Sequence, residues 1–213
     1  MVELRITEQN KNKCIKNGVL IIDKAETITK LYCNNMDILL INLSNCVNLE
    51  YLDCHNNNIS SINLTNCVNL KYLDCYNNNI SSINLSNCVN LKYLDCSYNN
   101  ISSMNLSNCV NLQTLRCNNN NISSMNLLKC VNLKTFHCYN NNISRLIMIT
   151  SANNMICYNN QLTLFNLVRQ STYYNLMHNH LIILKKTSDL DRYLIEKYFK
   201  IHETKVRYYI KIT

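Results

Sequence analysis

Leu49 to Asn69 reads LEYLDCHNNNISSINLTNCVN, and Leu70 to Asn90 reads LKYLDCYNNNISSINLSNCVN; this near-literal period of 21 residues runs from Ile28 to about Leu184. A unit this short cannot bury an apolar face alone, so the copies must stack and share one continuous core. The period therefore predicts a solenoid and one extended domain with a cap at each end.

Within Leu70 to Asn90 the apolar positions are Leu70, Leu73, Cys75, Ile80, Ile83, Leu85 and Cys88, with Asn78 as the polar member of the inward set. Leu73 and Cys75 alternate with Tyr72, Asp74 and Tyr76, and Ile83 and Leu85 alternate with Ser82, Asn84 and Ser86. Period-2 alternation marks a half-buried strand. Each coil should then carry two short strands on opposite walls, joined by the Asn77-Asn78-Asn79 corner and the Asn87-Cys88-Val89-Asn90 corner. A helix on the second wall is excluded, because Ile80 to Asn90 lacks a helical period and a helical crossover needs about a dozen residues. A slim, right-handed rod follows, mostly strand and loop, with coils climbing roughly 4.8 Å each as in a parallel sheet. Asn57, Asn78, Asn99, Asn120, Asn141 and Asn160 are expected to form an internal ladder that satisfies buried corner groups.

The pattern Leu70-x-x-Leu73-x-Cys75-x-x-Asn78-x-Ile80 resembles the leucine-rich repeat signature, with cysteine in its third apolar slot. Its continuation, Ile83-x-Leu85-x-x-Cys88, resembles the short class of about 21 residues with a nested half-repeat. The resemblance implies a leucine-rich repeat solenoid, residues 28–184, of about eight coils. Six are regular, starting at Ile28, Leu49, Leu70, Leu91, Leu112 and Leu133; the first has Met36 in place of the ladder asparagine, and after Leu133 the spacing slips by two residues. With its Asn, Ile and Lys bias the chain also resembles leucine-rich repeat proteins of giant DNA viruses of amoebae.

Composition narrows the chemistry. There is one glycine, no proline and no tryptophan, so asparagine must do the turn work, which its tolerance of positive φ permits. Twelve of the thirteen cysteines fall into two registers, Cys33 to Cys157 and Cys46 to Cys130, and read as small buried hydrophobes rather than a disulfide framework. They lack the paired Cys-x-x-Cys spacing of zinc sites, so no metal ligand and no cofactor are assigned. Cys138, Cys157, His178 and His180 make an irregular cluster, in which His178 stands where the cysteine ladder would continue. A single glycine leaves no Gly-rich phosphate loop and no Gly-x-Ser-x-Gly elbow, and His-Glu-x-x-His is absent, so no enzyme is expected.

Residues 1–27 read as an N-terminal cap with Asn17-Gly18 as a type I′ hairpin signal, and 185–213 as a C-terminal cap. The latter opens at Ser188, runs as a helix to about Lys200, and closes with a strand from Val206 to Ile212. It holds eight Lys/Arg against four Asp/Glu, much of the net charge of +8. Met1 to Lys13 show no secretory signal and no run is long enough to span a bilayer, so a cytoplasmic monomer is expected, in host cytoplasm or virion if viral.

The outward side chains of the first strand form columns. One is Tyr51, Tyr72, Tyr93, Thr114 and Thr135, the next Asp53, Asp74, Asp95, Arg116 and His137, and beyond lies His55, Tyr76, Ser97, Asn118, Tyr139 and Tyr158. Leucine-rich repeat proteins use this wall for ligands, so the resemblance assigns partner binding to Tyr51, Asp53, Tyr72, Asp74, Tyr76, Tyr93, Asp95 and Arg116. Stacked carboxylates repel, a cost tolerated at sites, and tyrosine is favoured at interfaces. Recent duplication would copy the same residues without selection for binding, and that reading stays open. The alternatives to a protein partner are a nucleic acid, held by tyrosine stacking and the basic C-terminal end, and a structural repeat with no specific ligand. The opposite wall, with Ser81, Ser82 and Asn84, reads as solvated filler.

Overall fold

The computed structural model describes residues 2–148, 152, 154–157 and 159–161, and the backbone of 182–183. The expected C-terminal cap and the cluster members His178 and His180 lie outside them, as does most of the chain from 162 to 184.

The chain enters through β1 (Val2–Arg5), which pairs in parallel with β4 (Ile28–Tyr32) and so begins the main sheet. β1 was not expected from the sequence, where only Val2 and Leu4 alternate with Glu3 and Arg5. Between them β2 (Ile15–Lys16) and β3 (Val19–Leu20) form the expected antiparallel hairpin. Asn17 and Gly18 take φ of 52° and 76°, as a type I′ turn requires. A Cβ at residue 18 would fall 2.6 Å from the Leu39 side chain, whose backbone N–H donates to the Gly18 carbonyl at 2.7 Å. The single glycine therefore lets the hairpin dock where β3 pairs in parallel with β5 (Leu40–Ile41).

From there each coil repeats. Strands β6 (Tyr51–Asp53), β7 (Tyr72–Asp74), β8 (Tyr93–Asp95) and β9 (Thr114–Arg116) pair in parallel, residue for residue, at a shift of 21. On the opposite wall β10 (Ser124–Asn126) precedes β11 (Thr135–His137), which continues the main sheet, and β10 pairs with β12 (Arg145–Ile147). β13 (Asn154–Ile156) pairs with β11 at a shift of 19, the slip expected after Leu133, and β14 (Ile182–Ile183) ends a sheet of nine strands among the described residues. The result is a leucine-rich-repeat-like β-solenoid with almost no helix.

The second wall is thinner than its alternation suggests. Before β10 it is reduced to single bridges, Ile62 to Ile83 and Ile83 to Met104. Backbone groups there go into turns instead: Asn84 Oδ1 accepts from Ser86 N at 3.0 Å, and Leu85 O accepts from Cys88 N at 3.0 Å. Asn84 is thus a turn former rather than filler, an Asx role shared by Asn42, Asn63, Asn105 and Asn126.

The core is the expected lattice. In the coil from Leu70 to Cys88 every inward apolar side chain is buried, each leucine contributing about 1.5–3 kcal/mol. All twelve ladder cysteines are buried and unbridged. Burial pushes their thiols up, Cys46 to about 11 and Cys67 to about 12, so thiolate chemistry is suppressed.

Asparagine holds the coils together in three ways. The buried Asn99 accepts from Ile80 N of the preceding coil at 2.9 Å and donates to Cys75 O and Cys96 O at 2.9 and 3.1 Å. Asn57, Asn78, Asn120, Asn141 and Asn160 repeat the arrangement. The residue before each takes positive φ, and there Asn77 Nδ2 donates to Asn56 Oδ1 at 2.9 Å across coils. At the far corner Asn87 and Asn90 donate to Thr65 O and Val68 O one coil back. The asparagine bias is therefore structural chemistry as well as composition.

Candidate functional site

Short Tyr-Leu-Asp strands put leucine in the core and send tyrosine and aspartate outward, and parallel pairing aligns identical residues of successive coils. Tyr51 and Tyr72 stack with ring centroids 4.1 Å apart and planes 6° apart; Tyr72 and Tyr93 do so at 4.3 Å and 4°. The rail extends beyond the expected column. Tyr32 packs on Tyr51 at 4.9 Å, and the Arg5 guanidinium lies 3.8 Å from the Tyr32 ring centre. Tyr32 pairs in register with Asp53 rather than Tyr51, so its place in the aromatic column was not legible from spacing. Partial burial raises the Tyr51 and Tyr93 hydroxyl pKa values, keeping the rail neutral.

Beside the rail, Asp53 faces Asp74 and Asp74 faces Asp95 in the ladder. Burial, then the neighbouring carboxylates, lift the Asp74 carboxyl to about 6, while Tyr76 N donates to its Oδ1 at 3.1 Å. Asp95 is buried, at 7 % exposure, with the Arg116 guanidinium 3.9 Å away. The column is outward at Asp53 and Asp74 but recessed at Asp95, where the sequence expectation was uniform. In the outermost column Tyr76 meets Tyr98 edge-on at 5.2 Å, whereas Ser97 and Asn118, expected to face solvent, are buried and joined by a 2.9 Å hydrogen bond.

The structure also gathers a group that sequence reading passed over. Asp53, His55 and Asp74 place a carboxylate oxygen, a ring nitrogen and a second carboxylate oxygen within 4.8 Å of one another. Its signal in the sequence is Asp53-x-His55 followed by Asp74 one coil later, a spacing unlike the paired cysteines of zinc sites. Among the described residues no helix is long and apolar enough to cross a membrane.

The profile of the family described as Leucine Rich repeats (2 copies) matches residues 68–108. Residues 68–108 thus match the leucine-rich repeat family, and the solenoid around them has the leucine-rich repeat fold. That solenoid is similar to a leucine-rich repeat protein of Leptospira interrogans, with TM-score 0.68, 18% identity, and 88% of this chain matched to 49% of that one. It is similar to the APL1 leucine-rich repeat domain at TM-score 0.62 and 16% identity, covering 87% of this chain and 56% of that one. A Listeria monocytogenes internalin matches at TM-score 0.52 and 24% identity over 78% of this chain and 58% of its own. The chain thus spans about half to three-fifths of the length of these structures. No curated protein matches the sequence. Leucine-rich repeat proteins generally mediate protein–protein interaction.

Proposed function

We propose that this leucine-rich repeat solenoid is a non-enzymatic interaction module whose strand face, from Tyr51 to Arg116, recognises a protein surface carrying basic and aromatic groups. The observation that carries the reading is the stacked rail of Tyr51, Tyr72 and Tyr93 beside the Asp53 and Asp74 carboxylates. Stacked tyrosines offer rigid, amphipathic area at low entropic cost, and adjacent carboxylates select cationic groups. Burial of Asp74 opposes folding, because its carboxyl pKa is raised to about 6. A side chain that costs the fold stability fits a binding role better than a structural one.

Nucleic acid fits less well. The rail's ring faces are occupied by one another at 4.1 and 4.3 Å, and Asp53 and Asp74 would repel phosphate. The test is affinity capture from host-cell lysate with the wild-type chain and with Asp53, Asp74 and Asp95 all changed to Lys, using Ser82→Lys on the opposite wall as control. Protein partners lost with the triple variant and kept with the control support the reading; identical capture by all three overturns it.

A further inference from the structure

We propose that Asp53, His55 and Asp74 form a binding site for a first-row divalent cation, such as Zn²⁺, Mn²⁺ or Co²⁺, on the strand face. Two carboxylates with one imidazole are a donor set suited to such borderline cations. Their ligand atoms already lie within 4.8 Å of one another. Bonds of about 2.0–2.2 Å place tetrahedral ligand atoms roughly 3.4 Å apart, so a cation would replace the short His55–Asp53 hydrogen bond, opening that pair by about 1 Å while wider separations close, within reach of small side-chain rotations.

The fold sets up the convergence. Asp53 and Asp74 are directly paired in β6 and β7, and His55 follows where the chain leaves β6, its Nδ1 2.5 Å from Asp53 Oδ1. Tyr76 N holds Asp74 Oδ1 at 3.1 Å, an outer contact that orients the carboxylate. Among the described residues no lysine or arginine pairs with Asp53 or Asp74. A cation would remove the repulsion between opposed carboxylates.

Duplication does not explain the cluster. The copies beginning at Leu49 and Leu70 differ only at Glu50/Lys71, His55/Tyr76 and Thr65/Ser86. One difference creates an ion pair between the coils, Lys71 Nζ to Glu50 Oε2 at 2.9 Å, and another puts the imidazole beside the carboxylate pair. The next pair, Asp74 and Asp95, meets Tyr76 instead, and Asp95 has Arg116 at 3.9 Å. The repeat thus makes two carboxylate pairs but only one with a nitrogen donor. Three protein ligands leave coordination positions for water, so the site stands whether or not the face binds a protein.

The experiment is titration of the reduced chain with Co²⁺ alone, followed by calorimetry and visible absorption. The variants are His55→Tyr, which installs the next coil's own residue, Asp74→Asn, and, as control, Asp23→Asn at an exposed acidic residue outside the cluster. One equivalent bound by wild type, at least tenfold weaker binding in the first two variants and unchanged binding in Asp23→Asn support the site. No saturable binding, equal binding by His55→Tyr, or a thiolate-to-cobalt charge-transfer band would overturn it.

Discussion

Asn119 Nδ2 is buried without a hydrogen-bond partner, and the residue one coil before it, where the corner ladder calls for asparagine, is Tyr98. On either side the ladder is intact, with Asn77 donating to Asn56 and Asn140 donating to Asn119. Tyr98 also holds φ of 55°, a region costly for a bulky side chain. Tyr98→Asn should relieve both faults and give up only the edge contact with Tyr76. The expected gain is about 1–2 kcal/mol in urea unfolding; a loss of stability would contradict the ladder.

Internal asparagine should matter far more than turn asparagine. Asn99→Ala strands Ile80 N in the core and takes one of two donors from Cys75 O and from Cys96 O, which Asn78 and Asn120 still reach, a cost of about 2–3 kcal/mol. Asn84→Ala removes one exposed turn contact and should cost about 1 kcal/mol or less. Equal destabilisation of the two variants by thermal melting would refute the division of labour among asparagines.

Thiol accessibility reads the core directly. Twelve of the thirteen cysteines are buried, and Cys14 is half-buried in the N-terminal segment. An aromatic disulfide reagent should titrate about one thiol in the native chain and thirteen in denaturant. Rapid native reaction of several thiols would mean the ladders are not inward.

Asp74 sets a pH dependence of definite sign. Its folded pKa, about 6, lies above the ordinary 3.8, so the folded state holds its proton more tightly. Stability from this group is fully present below about pH 4 and is lost as pH rises through about 6. Asp74→Asn should therefore stabilise the fold at pH 7 by about 1 kcal/mol, discounted for partial solvent exposure, and by almost nothing at pH 4. Denaturant titrations at the two pH values check the difference.

The repeat architecture was legible because side-chain direction has period two and the copies are literal. Leu73, Cys75 and Asn78 announce their inward places by spacing alone. β1 was hidden because an edge strand with one half-buried face needs only Leu4 inward. The recess at Asp95 and the burial of Ser97 and Asn118 depend on which neighbours happen to be tyrosine or arginine, a lateral property that a linear pattern does not carry. The Asp53, His55 and Asp74 group escaped for a related reason, since its members join residues of two coils.

The central claim, that the tyrosine rail and carboxylates recognise basic and aromatic groups, is tested most directly by selecting a random linear-peptide display library on the purified chain. Selected peptides are then re-bound to the variant with Asp53, Asp74 and Asp95 changed to Lys. The account predicts enrichment of Arg or Lys with aromatic residues and at least a tenfold loss of binding to the variant. Peptides without that enrichment, or binding that the variant leaves unchanged, would contradict it.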